Sequence, residues 1–423
     1  MKIARIRLFL LRQPLRHSFE TSSHRKSGIE HILVELTDAD GRTGWGEIAA
    51  PSDPYFGAET TITAWEIATR YLVPALLGAE GDEPGDLETV WGRIRGHEFA
   101  KAGFSGAVWD LFSRAEGIAL AAALGGTRSE VVAGVSLGIE PSIDELLTQV
   151  ELQRTAGYPR VKLKIAPGWD VEPVRAVRAA HPDLDLHVDA NGAYPDDADS
   201  AAVFARLDDE GLTMIEQPFA PRELVAHAAL QARIGTDVCL DESVVALGDL
   251  RTMIRLRAAR VLNIKVSRMG GLSVARAAHD IAVDAGIPVW CGGMHEFGVG
   301  RAANVAISSL PGFLLPSDVS GSDKYYTADI VDGHGRRGAE RSRHRPRGAR
   351  RAHRARGLPL LRHRGGGCPR RRARPRLTRR LRIGPPCVHC CCTGSTSRAR
   401  PPSTRASTRS TRARRSCVRP TWG

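Results

Sequence analysis

The chain has 423 residues, 42% of them hydrophobic, and a formal net charge of +13 at pH 7. Such a length leaves room for two domains with sizeable cores, and the charge taken whole would suggest an anionic partner such as nucleic acid. Its distribution argues otherwise: residues 333–423 hold 28 Arg, no Lys and one acid (Glu340), a net of +27 that leaves −14 for the preceding 332 residues.

The start, MKIARIRLFLLRQPLRHSF, has an apolar stretch broken by Arg5, Arg7 and Arg12. It offers neither an uninterrupted apolar core nor a small-residue cleavage site, so we do not expect a signal peptide. No run of about 18 apolar residues predicts a membrane span. Cys239 and Cys291 are the only cysteines of the body, with six more (Cys368, Cys387, Cys390, Cys391, Cys392 and Cys417) near the end. That usage gives no disulfide framework and suits a reducing, cytoplasmic setting.

Residues 1–125 predict a small α+β domain, strands first and helices after. Ile29–Leu36 and Arg42–Ala49 read as a hairpin turned at Asp38-Ala39-Asp40-Gly41. Helical periodicity follows over Glu59–Leu77, Asp86–Ile94 and Phe99–Gly117. The polar stretch from Arg16 to Gly28 lacks periodicity and reads as a mobile loop.

From Val131 the texture changes. Val135–Ile139, Val161–Ile165, Leu186–Asp189, Thr213–Glu216, Val238–Asp241, Val261–Val266, Val289–Cys291 and Phe313–Pro316 are short apolar runs. Amphipathic segments such as Ile143–Thr155, Val171–Ala180 and Ser273–Ala285 separate them. Near-continuous apolar strands alternating with helices predict a covered parallel sheet. No glycine-rich nucleotide loop supports an open doubly wound sheet, so the fold class expected for 126–332 is α/β, a (β/α)₈-type barrel.

From Gly333 onward periodicity ends. Arg, Gly, Pro and Ala are what GC-rich codons yield in a wrong frame, and basic tails that bind nucleic acid usually carry Lys as well. We therefore read 333–423 as an arginine-rich, frameshifted tail that does not fold. A zinc site at Cys387-Val388-His389-Cys390-Cys391-Cys392 would need a second ligand pair at defined spacing, and none is present.

Five charged residues close apolar runs at one spacing: Lys164, Asp189, Glu216, Asp241 and Lys265, separated by 25, 27, 25 and 24 residues. This is the length of one strand, one helix and two loops, so one barrel rim would receive all five. Each acid alone could equally cap the following helix. Three together predict a hard divalent cation, Mg²⁺ or else Mn²⁺, with Asn191 and Glu242 as supporting groups. Lys162 and Lys164 share one strand side, and burying two ammonium groups together would lower their pKa values and make a general base. Lys265 would face Lys164 across the mouth, flanking the α-carbon of a bound carboxylate. Ser136 and the loop Gly292-Gly293-Met294 are candidate substrate contacts.

Lys162-Leu163-Lys164, Val-Asp189-Ala-Asn, Ile-Glu216-Gln-Pro, Leu-Asp241-Glu-Ser and Asn-Ile-Lys265 together resemble the enolase superfamily, muconate-lactonizing-enzyme subgroup. The text Lys-Ile-Ala-Pro-Gly-Trp-Asp-Val-Glu-Pro-Val-Arg and Val-Trp-Cys-Gly-Gly-Met is closer still to its o-succinylbenzoate synthase and N-succinylamino acid racemase family. The resemblance covers residues 1 to about 332. It implies an N-terminal capping domain whose loop near Phe19–Lys26 closes over the barrel, and Mg²⁺ on Asp189, Glu216 and Asp241. For the synthase it implies a carbon–oxygen lyase of menaquinone biosynthesis. That enzyme dehydrates 2-succinyl-6-hydroxy-2,4-cyclohexadiene-1-carboxylate through an enediolate, with Lys164 as base and Lys265 as electrostatic stabiliser. For the racemase it makes the two lysines opposed base and acid. A small carboxylate is the expected partner, with no nucleic acid or membrane; self-association stays open. The apolar closing segment that such proteins return to the cap is replaced here by the arginine-rich tail.

Overall fold

The computed structural model describes residues 1–331 and, by backbone alone, His353–Ala355. The rest of the arginine-rich tail expected over 333–423 lies outside the described residues.

The N-terminal part is an antiparallel sheet in the order β1 (Ile3–Glu20), β2 (Arg25–Asp38), β3 (Thr43–Ile48). The expected hairpin turn lies between β2 and β3: the Asp38 carboxylate accepts the N–H of Asp40 and Arg42, and Gly41 takes a φ of +82°. The stretch from Arg16 to Gly28 is a correction. It is the outer half of the β1–β2 hairpin, paired again from Phe19↔Lys26 to Glu20↔Arg25 after a register shift beyond Pro14. It showed no periodicity because this arm leaves the sheet core and buries neither face fully.

The helical run expected over Glu59–Leu77 is continuous but not uniform: α1 (Thr61–Ile67) passes through a π-turn (Ala68–Leu72) into α2 (Val73–Leu76). Short α3 (Pro84–Glu88) precedes α4 (Glu98–Ala115), which lies directly on β3. Gly46 makes that approach possible, since a Cβ there would fall 1.9 Å from the Gly103 carbonyl oxygen. Ile6, Ile32, Leu36, Leu72, Phe104 and Leu111 fill the core between sheet and helices. The short α5 (Leu120–Ala123), which the periodicity does not reveal, leads into the second part.

There, β4 (Val131–Ala133) pairs antiparallel with the backbone of His353–Ala355. A parallel sheet of seven strands follows in strict sequence order: β5 (Val135–Leu137), β6 (Arg160–Lys164), β7 (Asp185–Asp189), β8 (Met214–Glu216), β9 (Asp237–Leu240), β10 (Val261–Ile264) and β11 (Val289–Cys291). Helices α6 (Ile143–Thr155), α7 (Val171–Ala180), α8 (Ala198–Asp208), α9 (Leu224–Gln231), α10 (Leu247–Leu256), α11 (Leu272–Asp284) and α12 (Gly298–Ile307) connect and cover it. Their apolar stripes meet Val161, Leu186, Ile215, Val238 and Leu262 in one large core.

The eighth position differs from expectation. Phe313–Pro316 forms no ladder; single parallel bridges join Phe313 to Val289 and Ser317 to Ala133. Pro316 ends the run and Pro311 stands just before it, and proline lacks the N–H that a continuous strand donates. The ring is therefore closed at isolated points rather than by a strand.

Candidate active site

The five spaced residues end five adjacent strands or follow them by one position. Lys164 closes β6, Asp189 closes β7 and Glu216 closes β8; Asp241 and Lys265 come one residue after β9 and β10. Register matches the chemistry, since Lys164 pairs with Asp189 and Asp189 with Glu216 across neighbouring strands. Asp189, Glu216 and Asp241 are each at most 1% exposed.

Each acid holds a cation. Lys164 Nζ donates to Asp189 Oδ2 at 2.5 Å and to Asn191 Oδ1 at 2.7 Å. Lys162 Nζ donates to Glu216 Oε2 at 2.7 Å and lies 3.3 Å from Asp189 and 3.2 Å from Asp318. Lys265 Nζ donates to Asp241 Oδ2 at 2.7 Å, and the Arg268 guanidinium pairs with the other oxygen of the same carboxylate. Asn191 Nδ2 passes the network on to Glu242 Oε1 at 3.0 Å. Ser136, Lys162, Asn191 and Glu242 are thus all brought to the rim.

The expectation of a depressed lysine does not hold for Lys162, and Lys265 is raised as well. Burial alone would lower Lys162, but the carboxylates of Asp318, Glu216 and Asp189 hold it well above its usual value. Burial likewise opposes Lys265, and Asp241 outweighs it. The acids diverge. Burial and the neighbouring Asp189 and Asp241 push Glu216 up to about 8, against the pull of Lys162. Asp189, despite its burial, is held well below the usual range by Lys164 and Lys162. Burial followed by Asp241 and Asp189 raises Glu242 to about 7.

Among the described residues no three acids, histidines or cysteines are gathered closely enough to chelate a metal as placed. Lys162 stands between Asp189 and Glu216. The donor set nevertheless suits a hard divalent cation, being all carboxylate oxygen at the ends of three adjacent strands. Glu242 Oε2 is buried with no hydrogen-bond partner. The raised Glu216 signals buried negative charge that its own lysine leaves partly uncompensated.

Several residues of the site escape the spacing rule. Asp318, just past the closing bridge at Ser317, accepts from Arg160 at 2.8 Å and from the Ser136 hydroxyl at 2.8 Å. It ends an apolar run, as the three spaced acids do, and that signal could have found it. Asn263 donates to Glu216 Oε1 at 2.7 Å and sits two residues before Lys265, on the same strand side. Phe56, from the N-terminal domain, places its ring 4.6 Å from the Lys265 ammonium.

The glycine pair after β11 has a packing reason at Gly292: a Cβ there would fall 2.3 Å from Asn263 Oδ1. Gly293 lies against the Asp318 carbonyl, and Met294 packs into the core of the N-terminal domain. His295 follows in a left-handed conformation, φ 61°, its ring between Phe19 at 4.6 Å and Tyr325 at 4.9 Å. The hairpin arm crosses this mouth. Ile139 donates its N–H to Glu20 O at 3.0 Å, and the Ser22 hydroxyl donates to Ala190 O at 3.1 Å.

Comparison with known proteins agrees with this layout. Residues 5–125 match the N-terminal domain of mandelate racemase and muconate lactonizing enzyme, and residues 145–339 match the enolase C-terminal-domain-like family. The chain is 46% identical over 321 residues to an o-succinylbenzoate synthase of Geobacillus kaustophilus, covering 76% of this chain and 85% of that one. It is 44% identical over 333 residues to an N-succinylamino acid racemase of an Amycolatopsis species, covering 78% and 90%. A crystal structure of an enolase-superfamily member from Listeria innocua superposes with a TM-score of 0.75 at 36% identity, over 78% of this chain and 88% of that one.

Proposed function

Because the chain belongs to the mandelate racemase and muconate lactonizing enzyme branch of the enolase superfamily, within its o-succinylbenzoate synthase and N-succinylamino acid racemase family, we propose that it is an o-succinylbenzoate synthase. The reaction removes the proton at C1 of 2-succinyl-6-hydroxy-2,4-cyclohexadiene-1-carboxylate and expels the C6 hydroxyl as water. One C–H and one C–O bond break, and the new C=C bond completes an aromatic ring. The observation that carries the reading is the placement of Lys164 and Lys265 on β6 and just past β10, each donating to a buried carboxylate, with the three strands between them carrying Asp189, Glu216 and Asp241.

Asp189, Glu216 and Asp241 would hold Mg²⁺, with Glu242 and Asn191 orienting them. Bound there, the cation would draw charge from the substrate carboxylate and acidify the neighbouring C–H. Lys164 would take that proton and return it to the departing hydroxyl. Lys265, kept charged by Asp241, would balance the negative charge that builds as the proton leaves. Phe56, Met294 and the hairpin arm would keep bulk water from the reacting carbon.

No helix among the described residues is long and apolar enough to cross a membrane. A cytoplasmic enzyme of menaquinone biosynthesis fits Cys239 and Cys291, the two cysteines among the described residues, being buried and unpaired. A second reading, N-succinylamino acid racemase, draws on the same two lysines and on the Amycolatopsis relative.

The test is turnover of the cyclohexadiene carboxylate by the purified chain, followed by ultraviolet absorbance. EDTA should abolish it and Mg²⁺ restore it. A folded, Mg²⁺-binding protein that racemises N-succinylamino acids but leaves the diene untouched would replace the first reading with the second.

A further inference from the structure

Five lysines surround the barrel mouth, and four have partners. Lys162, Lys164 and Lys265 hold carboxylates; Lys324 gives its ammonium to the Ser136 carbonyl and stands 4.9 Å over the Tyr325 ring. Lys26 is the fifth. Among the described residues its ammonium has neither a hydrogen bond nor an ion pair.

Its position is fixed by the arm. Lys26 is the β2 residue in register with Phe19, whose ring touches His295, and the arm is pinned to the barrel at Ile139 and Ala190. Lys26 lines a cavity of about 180 Å³ together with Ala50, Ser52, Asp53 and Met294. Burial, and after it the positive charges of Lys164 and Lys265, lowers Lys26 to about 8, and Asp53 only partly offsets this. His24 on the same turn is lowered to about 4, by burial and then by Lys26.

A half-buried ammonium held among other cations costs free energy unless an anion completes it. The proposed substrate carries two carboxylates. One would lie with the metal and the two catalytic lysines; the other ends the succinyl chain and has no assigned partner. We propose that Lys26 is a specificity-determining residue that binds the terminal carboxylate of the succinyl chain, from the arm that covers the site. This rests on the reading of the reaction given above.

The experiment is calorimetric titration of the full chain, loaded with Mg²⁺, with the product o-succinylbenzoate and with 2-butanoylbenzoate, which carries a methyl group in place of the terminal carboxylate. The parent should prefer the succinyl compound. Lys26→Met should weaken that compound about tenfold or more while moving the butanoyl compound by less than about twofold. Lys26→Arg should restore most of the preference. Equal weakening of both compounds, or a preference that survives in both Lys26→Met and Lys26→Gln, would overturn the proposal. A parent that turns over the diene yet binds both compounds alike would overturn it while leaving the reaction standing. A parent that binds neither would overturn both together.

Discussion

Glu47, on the last strand of the N-terminal sheet, accepts the backbone N–H of Phe297 at 2.8 Å, at the start of the helix that follows the seventh barrel strand. Its second oxygen accepts from Gly300 at 2.8 Å, and His31 Nδ1 lies 2.7 Å from the first. One buried carboxylate thereby caps a barrel helix from the other domain and satisfies a buried imidazole.

Removing it strands three polar groups at once. Glu47→Ala should destabilise the protein by about 3 kcal/mol, read as a lower urea midpoint. Glu47→Gln, which keeps an acceptor, should lose clearly less. Equal losses in the two variants would place the effect in packing rather than in capping.

Lys164→Ala should lower kcat by roughly three orders of magnitude and leave Mg²⁺ binding intact by calorimetry. Lys265→Met should cost about 10²-fold. Residual turnover near the parent level in Lys164→Ala would move the base to another residue.

Acid should act through His227. This buried imidazole accepts the N–H of Phe219 at 3.2 Å through Nε2, while Nδ1 donates to the Glu223 carbonyl at 2.7 Å. Protonation at Nε2 destroys the acceptor, and burial holds the group down to about 4. The folded pKa lies below the unfolded value near 6.5, so the unfolded chain binds more protons between them, and stability falls as pH drops through that window. The parent should lose about 3 kcal/mol between pH 6.5 and 4 from this group. In His227→Gln the stability-against-pH curve should be flatter by that amount. An unchanged slope would count against His227 as the acid-sensitive group.

Gly292→Ala should be more damaging than its size suggests. The new Cβ meets the Asn263 carboxamide, and shifting that group takes a donor from Glu216. A loss of about 1–3 kcal/mol is expected, read by thermal unfolding. Gly57→Ala, where a Cβ would meet nothing within 4 Å, should melt with the parent.

Most of the barrel was legible because its repeat is written twice, as apolar strand runs and as a charged residue near the end of five consecutive ones. That is why Lys164, Asp189, Glu216, Asp241 and Lys265 stand out without any knowledge of contacts. The arm from Arg16 to Gly28 was not legible. Its strands bury neither face fully, and such strands leave no clear apolar alternation in the side chains. Phe56 and Lys26 reach the site from the N-terminal domain, where nothing keeps time with the barrel repeat. The lysine pKa values needed the identity of their acid partners. Two lysines on one strand side predicted mutual repulsion, and only the structure shows that Asp318 joins Glu216 and Asp189 in outweighing it for Lys162.

The closing point of the ring bears on all of this. With single bridges at Phe313 and Ser317 in place of a ladder, little backbone bonding holds the first and last barrel segments together. The side chains beside the gap do that work instead: Arg160 donates to Pro316 O at 2.6 Å and to Asp318, which also takes the Ser136 hydroxyl and lies beside Lys162. These groups belong equally to the reaction centre, so the pocket and the shape of the barrel share one set of fastenings. Amide hydrogen exchange over residues 313–318 would then report substrate occupancy: a ligand that tightens the Lys162–Asp318–Ser136 cluster would also slow the opening of the ring.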